Sequence, residues 1–281
     1  VFPPIMINMV AAGELSGNLE ICLDRLTEHF EKDNALSAKI KGAMTYPIVV
    51  FIVMIIVVIV VMVMVIPNFS SMFAEMGTQL PLATRIMVAA SNFIIHKWWL
   101  LIIIVAAIVV GCKAFKRSSV GEQLFANMAI KMPIFGNLTI KSACSRFART
   151  MSTLLQAGMP MIDALEISAS TMKNVLYYDA LEKVKSGVSL GLPLSNQLRT
   201  SGLFPPMVVH MVGIGEETGN VEEMLTNSAV YYEEEVEVQT QTLTSLMEPI
   251  IIVLMAFVVV LLILAIYQPM IQLYNTLGSQ G

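Results

Sequence analysis

Gly13-Glu14-Leu15-Ser16-Gly17-Asn18-Leu19-Glu20 returns as Gly215-Glu216-Glu217-Thr218-Gly219-Asn220-Val221-Glu222, displaced by 202 residues in a chain of 281. The same displacement carries Phe2-Pro3-Pro4 onto Phe204-Pro205-Pro206, Met9-Val10 onto Met211-Val212, Pro47 onto Pro249 and Pro67 onto Pro269. No gap is needed anywhere in the alignment. Such agreement marks a true internal duplication, and a duplication must be read before any single motif.

The repeated unit specifies a helical hairpin. Proline is tolerated in the first turn of a helix, where its missing N–H costs nothing, so Pro3-Pro4 and Pro205-Pro206 open one. Gly17 and Gly219 close it, because glycine readily takes the left-handed conformation just past a helix end. Asn18 and Asn220 follow as N-caps of a second helix, and Asn220-Val221-Glu222-Glu223 has capping-box spacing. That second helix is long: Asn220 to Glu248 contains no Gly or Pro, and Asn18 to Tyr46 only Gly42. At 1.5 Å per residue each rod extends roughly 40 Å. Leu19, Cys22, Leu23, Leu26 and Phe30, and in the later copy Val221, Met224, Leu225 and Tyr232, mark a buried face. Each rod then meets Pro47 or Pro249 and is expected to run on near-continuously into the membrane, kinked or restarted at the proline.

Beyond those prolines the chain becomes apolar. Ile48–Ile66 and Ile250–Tyr267 carry no charge and come close to the roughly 20 residues that span a bilayer. A third block reaches span length when Trp98–Cys112 is extended back to Phe93, with His96 and Lys97 at an interface beside Trp98 and Trp99. Hydrophobic residues make up 56% of the chain, charged residues 14%, and the mean hydropathy is +0.73, values that belong in a bilayer. Open strands cannot satisfy their backbone in lipid, so the β-branched runs read as helices. None of them opens the chain with a basic leader and cleavage site, so they are permanent spans. Of the 17 Lys and Arg, only Arg85 and Lys97 lie between the first two spans and none follows Tyr267. The positive-inside rule therefore puts the remaining cationic regions in the cytoplasm and the C-terminus outside.

The expected fold is an all-α membrane protein with a duplicated cytoplasmic helical bundle and three transmembrane helices. Residues 1–47 form the C-terminal half of a first cytoplasmic domain, and 48–66 the first span. An external loop covers 67–92, the second span 93–112, and the second cytoplasmic bundle 113–249. The third span is 250–267 and the external tail 268–281. Within the second bundle, Ser145–Leu155, Met161–Met172 and Val175–Val184 read as helices, with Gly158 and Pro160 as stop and start signals. The offset puts the equivalent of residue 141 about 60 residues ahead of Val1, so the first bundle is expected to lack its N-terminal half.

Several classes of chemistry are excluded. A net charge of −4 provides no basic stripe for nucleic acid. Cys22, Cys112 and Cys144 lack CxxC spacing and read as small apolar residues. His29, His96 and His210 have no metal-ligand spacing, and no P-loop is present. No catalytic constellation, cofactor site or metal site is expected. The three spans hold no carboxylate, which argues against a transporter or channel subunit, the alternative reading. A membrane-anchored enzyme would need a nucleophile or metal cluster that the sequence does not offer.

Phe204-Pro205-Pro206, Gly215-Glu216-Glu217-Thr218-Gly219-Asn220, Lys131-Met132-Pro133-Ile134-Phe135-Gly136, Ser145-Arg146-Phe147-Ala148-Arg149-Thr150, Leu154-Leu155 with Ala157-Gly158, and Asp163-Ala164-Leu165-Glu166 together resemble the PilC/GspF family. These are inner-membrane platform proteins of type IV pilus and type II secretion machines. The resemblance covers nearly all of residues 2–270. It implies six-helix cytoplasmic domains alternating with spans in the order domain, two spans, domain, one span. It also implies a non-enzymatic scaffold in the bacterial inner membrane, partnered by a cytoplasmic assembly ATPase, pilin or pseudopilin subunits, other inner-membrane components and further copies of itself.

Candidate partner-facing residues follow from misplaced or clustered charge. Glu14 and Glu216, with Glu217 adjacent, stand in the last turn of their helices, where the macrodipole disfavours an anion. A hydrogen bond to the adjacent bundle, an ion pair with a partner or a divalent cation would each offset that. Arg146 and Arg149 lie three apart on one helix face, either paired to bundle carboxylates or docking an acidic partner. Glu233, Glu234 and Glu235 form an acidic face whose first-copy counterpart, Glu31-Lys32-Asp33, is mixed in sign.

Overall fold

The computed structural model describes residues 2–68, 71, 82–133 and 135–278. Among them no strand occurs, and the helices in chain order are α1 (Pro4–Ser16), α2 (Leu19–Val60), α3 (Leu82–Lys116), α4 (Ser119–Lys131), α5 (Phe135–Gln156), α6 (Met161–Thr171), α7 (Val175–Ser189), α8 (Leu194–Ser201), α9 (Pro206–Thr218) and α10 (Val221–Gly278). The chain divides into two compact units, residues 1–43 with 115–243 and residues 44–114 with 244–281.

In the first unit α5 is the central element. Cys144, Phe147, Ala148, Met151 and Leu154 on it are fully buried, α4 and α6 pack on it, and α7 and α8 carry the bundle round to α9. The aromatic knot of this core joins three elements: Phe204 lies 4.9 Å from the Phe147 ring and 5.4 Å from the Tyr177 ring. The Tyr177 hydroxyl donates to the Leu203 carbonyl at 2.9 Å, so the one polar atom of the knot is satisfied. Phe204 of the Phe-Pro-Pro motif thus anchors the start of α9 in the core.

The two copies of the hairpin have closely matching backbones. Both α1 and α9 are 13 residues long, begin after a proline N-cap (Pro3, Pro205) and end at a left-handed glycine, Gly17 with φ 71° and Gly219 with φ 78°. The N–H groups of Asn18 and Asn220 return to the carbonyls of Gly13 and Gly215 at 3.0 and 2.9 Å, closing the turn through the backbone. Gly13 and Gly215 are glycines because the next helix crosses there. A Cβ on Gly215 would meet Val221 Cα at 2.7 Å, and one on Gly13 would meet Leu19 Cα at 3.0 Å.

The hairpins nevertheless bury different faces. The first copy buries Ile5, Met9, Cys22, Leu26 and His29, and the second buries Val208, Val209, Val212, Leu225, Ala229 and Tyr232. Leu26 and its counterpart Ser228 are both buried, but other equivalent positions do not correspond: Val209 and Leu225 are core residues, whereas their counterparts Ile7 and Leu23 are 55% and 42% exposed. The first copy joins the core of the second bundle, with α1 against α6, and turns inward Ile5 and His29, whose counterparts Met207 and Tyr231 stay exposed.

The second unit holds the apolar helices. Residues Leu19–Asn68 and Val221–Leu264 each contain an 18-residue window long and apolar enough to cross a membrane, with mean hydropathy 3.8 and 3.0. Neither rod restarts at its proline: α2 continues through Pro47 and α10 through Pro249. The irregularity comes later, in a π-helical turn at Val61–Val65 that leads directly out of α2. Such a turn leaves a backbone carbonyl poorly satisfied, and the buried Ser91 of α3 donates its hydroxyl to the Met62 carbonyl.

The middle span departs from the straight helix expected over 93–112. Lys97 leaves the helical region (φ −127°, ψ 27°), and Val88–Lys97 meets Ile102–Lys116 at 81°. The break falls at the cluster of His96, Lys97, Trp98 and Trp99, where charge interrupts the apolar run. The described helices therefore include two membrane-capable spans, or three if the bent pair acts as one. Of the expected external loop, residues 69–70 and 72–81 lie outside the described residues, as do the last three of the expected tail; residues 82–92, expected as loop, are instead the start of α3, and α10 continues past Tyr267 to Gly278.

Candidate functional site

Glu216 resolves its own electrostatic problem by facing a second helix. It stands in the last turn of α9, yet its carboxylate accepts from the backbone N–H of Leu194, from the backbone N–H of Ser195 at 3.1 Å and from the Ser195 hydroxyl. Those N–H groups belong to the first turn of α8, where no intrahelical partner exists and the dipole favours an anion. Pro193 precedes them as an N-cap without a side-chain acceptor of its own, so Glu216 supplies the cap from 22 residues away. Glu14, its repeat partner, is exposed.

Where α2, α5 and α10 meet, charges interlock. Arg149 donates from Nε and Nη2 to the two carboxylate oxygens of Glu233, at 2.8 and 2.9 Å. Arg146 binds Asp33 at 2.7 Å, Lys39 binds Glu237 at 2.6 Å, and Lys141 Nζ reaches both Glu235 and Gln239. Further along, Arg25 donates to Gln156 at 2.8 Å, and Gln156 donates to Thr226 at 3.0 Å. The long helices of the two copies are thereby cross-linked, directly by Lys39 and otherwise through α5.

His29 lies inside this seam, 7% exposed, with Nδ1 buried and unpartnered. Burial holds its pKa below the ordinary 6.5; Asp33 opposes this, Arg149 and Arg146 reinforce it, and Glu233 opposes it. Cys144 is inert, since burial pushes its thiol far above the usual range. Among the described residues no group of three or more His, Cys, Asp or Glu is positioned to hold a metal ion.

The sequence-predicted residues divide in two. Glu216, Arg146, Arg149, Glu233 and Glu235 are all engaged within the bundle. Glu14, Glu217 and Glu234 are exposed. With Glu20, Glu222 and Glu223, also exposed, Glu14 and Glu217 give the turn of each hairpin an acidic surface, whereas Glu234 lies several turns further along α10. Sequence reasoning missed Asp33 and His29 as members of the seam. Helical spacing from Leu26 reaches both, at i+7 and i+3, and would have put them on the buried face. It also missed Ser195, for which no local signal points to a carboxylate in another helix.

A family profile described as "Type II secretion system (T2SS), protein F" matches residues 1–67 and 147–269. The two matched blocks end at the repeat-equivalent prolines Pro67 and Pro269. The chain is 43% identical over 278 residues to a type IV pilus assembly protein PilC of Pseudomonas aeruginosa, covering 99% of this chain and 74% of the relative. It is 34% identical over 281 residues to a PilC of Thermus thermophilus, covering 100% of this chain and 69% of that protein. It is 30% identical over 277 residues to a type II secretion system protein F of Pseudomonas aeruginosa, covering 99% and 68%.

Proposed function

Because the chain belongs to the family of type II secretion system protein F and PilC, we propose that it is the inner-membrane platform of a type IV pilus or type II secretion machine, coupling a cytoplasmic assembly ATPase to the assembly of pilin or pseudopilin subunits. It is a helical membrane protein of a family whose members are named as assembly or secretion components. On this reading it is multi-pass, with both bundle segments in the cytoplasm and its C-terminus outside. It works without catalysis of its own, as a homo-oligomer among other inner-membrane components.

The observation that carries the reading is the pair of uninterrupted helices, α2 and α10. Each has its charged half in the ion-paired seam and its apolar half in a membrane-capable span. A push on the seam would be carried along a covalently continuous helix, whose backbone hydrogen bonds resist bending, rather than through a loop. The acidic turns carrying Glu14 and Glu217, with the exposed Glu234 further along α10, are the surfaces proposed to meet partners.

The test is co-purification of the full chain with the assembly ATPase from a piliated or secreting host, beside the triple variant Glu14→Lys, Glu217→Lys, Glu234→Lys. The expected result is a wild-type complex and a variant that inserts in the membrane normally but neither binds the ATPase nor supports filament assembly. Absence of the complex in the wild type, or full filament assembly by the triple variant, would overturn it.

A further inference from the structure

α4 (Ser119–Lys131) begins just after α3 ends at Lys116 and is apolar on two sides. Its inner side belongs to the bundle: Gly121 and Ala126 are buried, and the helix packs on α5 and α7. Its outer side is bare, with Val120, Leu124 and Met128 63%, 52% and 50% exposed. At about 100° per residue these three fall on one stripe, Lys131 falls within it, and Glu122, the one acid of α4, falls on the far side. A surface helix buries one stripe and turns polar residues outward, so a second apolar stripe marks a second contact.

The start of α4 is fixed, which limits what that contact can be. The Ser118 N–H donates to the Phe115 carbonyl at 3.0 Å and the Glu122 N–H to the Ser118 carbonyl at 2.8 Å. The rings of Phe115 and Phe125 meet edge to face with centroids 6.3 Å apart. Gly121 packs so closely on the Phe115 carbonyl that a Cβ would overlap it. α4 is therefore held against the last turn of α3, the helix that carries the apolar run Trp98–Cys112. The stripe begins only eight residues after that run ends.

Charge identifies the other side of the contact. Between residues 113 and 132 the cations Lys113, Lys116, Arg117 and Lys131 stand against the single acid Glu122, in a chain whose net charge is −4. All four cations are exposed, and none forms an ion pair among the described residues. An apolar stripe flanked by Lys and Arg at the end of a membrane-capable helix fits the surface of an anionic bilayer.

We propose that the outer face of α4 lies on the membrane surface, with Val120, Leu124 and Met128 at the boundary between headgroups and acyl chains and Lys116, Arg117 and Lys131 among anionic headgroups. The helix is already formed on the bundle, so the contact orders no flexible peptide. It gives the first unit a foothold on the bilayer besides its covalent links. The proposal requires only a membrane protein and stands apart from the machine role proposed above.

The test uses the full chain, one copy per nanodisc of phosphatidylethanolamine and phosphatidylglycerol. Cys22 and Cys144 are buried and Cys112 is exposed, so Cys112→Ala gives a background in which one added cysteine takes a nitroxide label. Leu124→Cys and Met128→Cys report on the stripe. Glu217→Cys, separated from the apolar run of α10 by the whole charged half of that helix, reports a position in water. Circular dichroism checks that each labelled variant keeps its helical content. Collision with a neutral nickel chelate, read by power-saturation electron paramagnetic resonance, is expected to be about threefold weaker at both stripe positions than at Glu217, and collision with oxygen stronger. Discs of phosphatidylcholine alone are expected to leave both stripe labels closer to water. Nickel access at Leu124 and Met128 equal to that at Glu217 overturns the proposal, and an identical depth in the two lipids overturns the part assigned to anionic headgroups. Shielding that appears only in discs holding two copies overturns it in favour of an interface between copies.

Discussion

Arg149 and Glu233 form a two-pronged pair in which both carboxylate oxygens are occupied, at 2.8 and 2.9 Å, with the side chains only 12% and 19% exposed. One helix turn earlier Arg146 reaches the other copy's long helix through Asp33. The two arginines of α5 therefore bind one rod each.

Removing one partner of the Arg149–Glu233 pair strands the other in a largely dehydrated position. Arg149→Met and Glu233→Gln are each expected to destabilise the protein by about 2 kcal/mol, and Arg149→Lys by about half that because one prong is lost. The double variant Arg149→Met, Glu233→Met should cost less than the sum of the single changes. Denaturation of the purified protein followed by circular dichroism measures all four.

Glu216 caps α8, so Glu216→Ala is expected to cost about 1–2 kcal/mol. The loss should appear first as faster amide hydrogen exchange at Leu194 and Ser195, the residues whose N–H groups it accepts. Glu14→Ala, at the exposed equivalent position, should change stability by less than about 0.5 kcal/mol. Equal effects at the two sites would contradict the capping role.

His29 makes the bundle sensitive to mild acid. Its folded-state pKa lies below the 6.5 of the unfolded chain, so the unfolded state binds the proton more readily. The stability it contributes is complete above that value and is lost as pH falls below it. Asp33, Glu233, Arg146 and Arg149 face the ring and modulate the effect. Between about pH 7 and about pH 5.5 the melting temperature should fall less in His29→Leu than in the wild type.

The two crossing glycines should respond unequally to alanine. At Gly215 the new Cβ meets Val221 Cα at 2.7 Å, a backbone atom that cannot move alone, and a loss of roughly 1–3 kcal/mol is expected. At Gly13 the nearest atom is 3.0 Å away, so relief of glycine's helix penalty, about 1 kcal/mol, offsets most of the crowding. Melting curves of Gly215→Ala and Gly13→Ala check the difference.

The hairpins, the long rods and the two outer apolar runs were legible because their signals are local: a proline pair, a glycine, a run without charge. α5 was read ten residues short, since the polar stretch from Asn137 to Lys141 hides its start. α8 went unread because its eight residues hold less than three turns of pattern, and its N-cap comes from Glu216, distant in sequence. At Pro47 and Pro249 a near-continuous rod, kinked or restarted, was the expectation; an unsatisfied backbone in an apolar setting is costly, and neither helix restarts there. Lys97 was expected at a membrane interface beside His96, and the sharp bend of the backbone there was not foreseen. For the charged candidates, residue type alone could not separate Glu216 or Arg149, engaged inside the bundle, from Glu217 and Glu234, which remain exposed.

The opposed buried faces of the two hairpins restrict how the duplicated segments can change. Gene conversion, which copies one repeat over the other, would put Ser228 of the second copy in place of the buried Leu26 and Tyr231 in place of the buried His29. In the reverse direction Thr27 would replace the buried Ala229 and Asn34 the buried Val236. Each transfer places a polar or larger group at a buried position that the other copy fills with a different side chain. Homogenisation of these repeats is therefore self-defeating, and the asymmetry between them, once established, locks itself in.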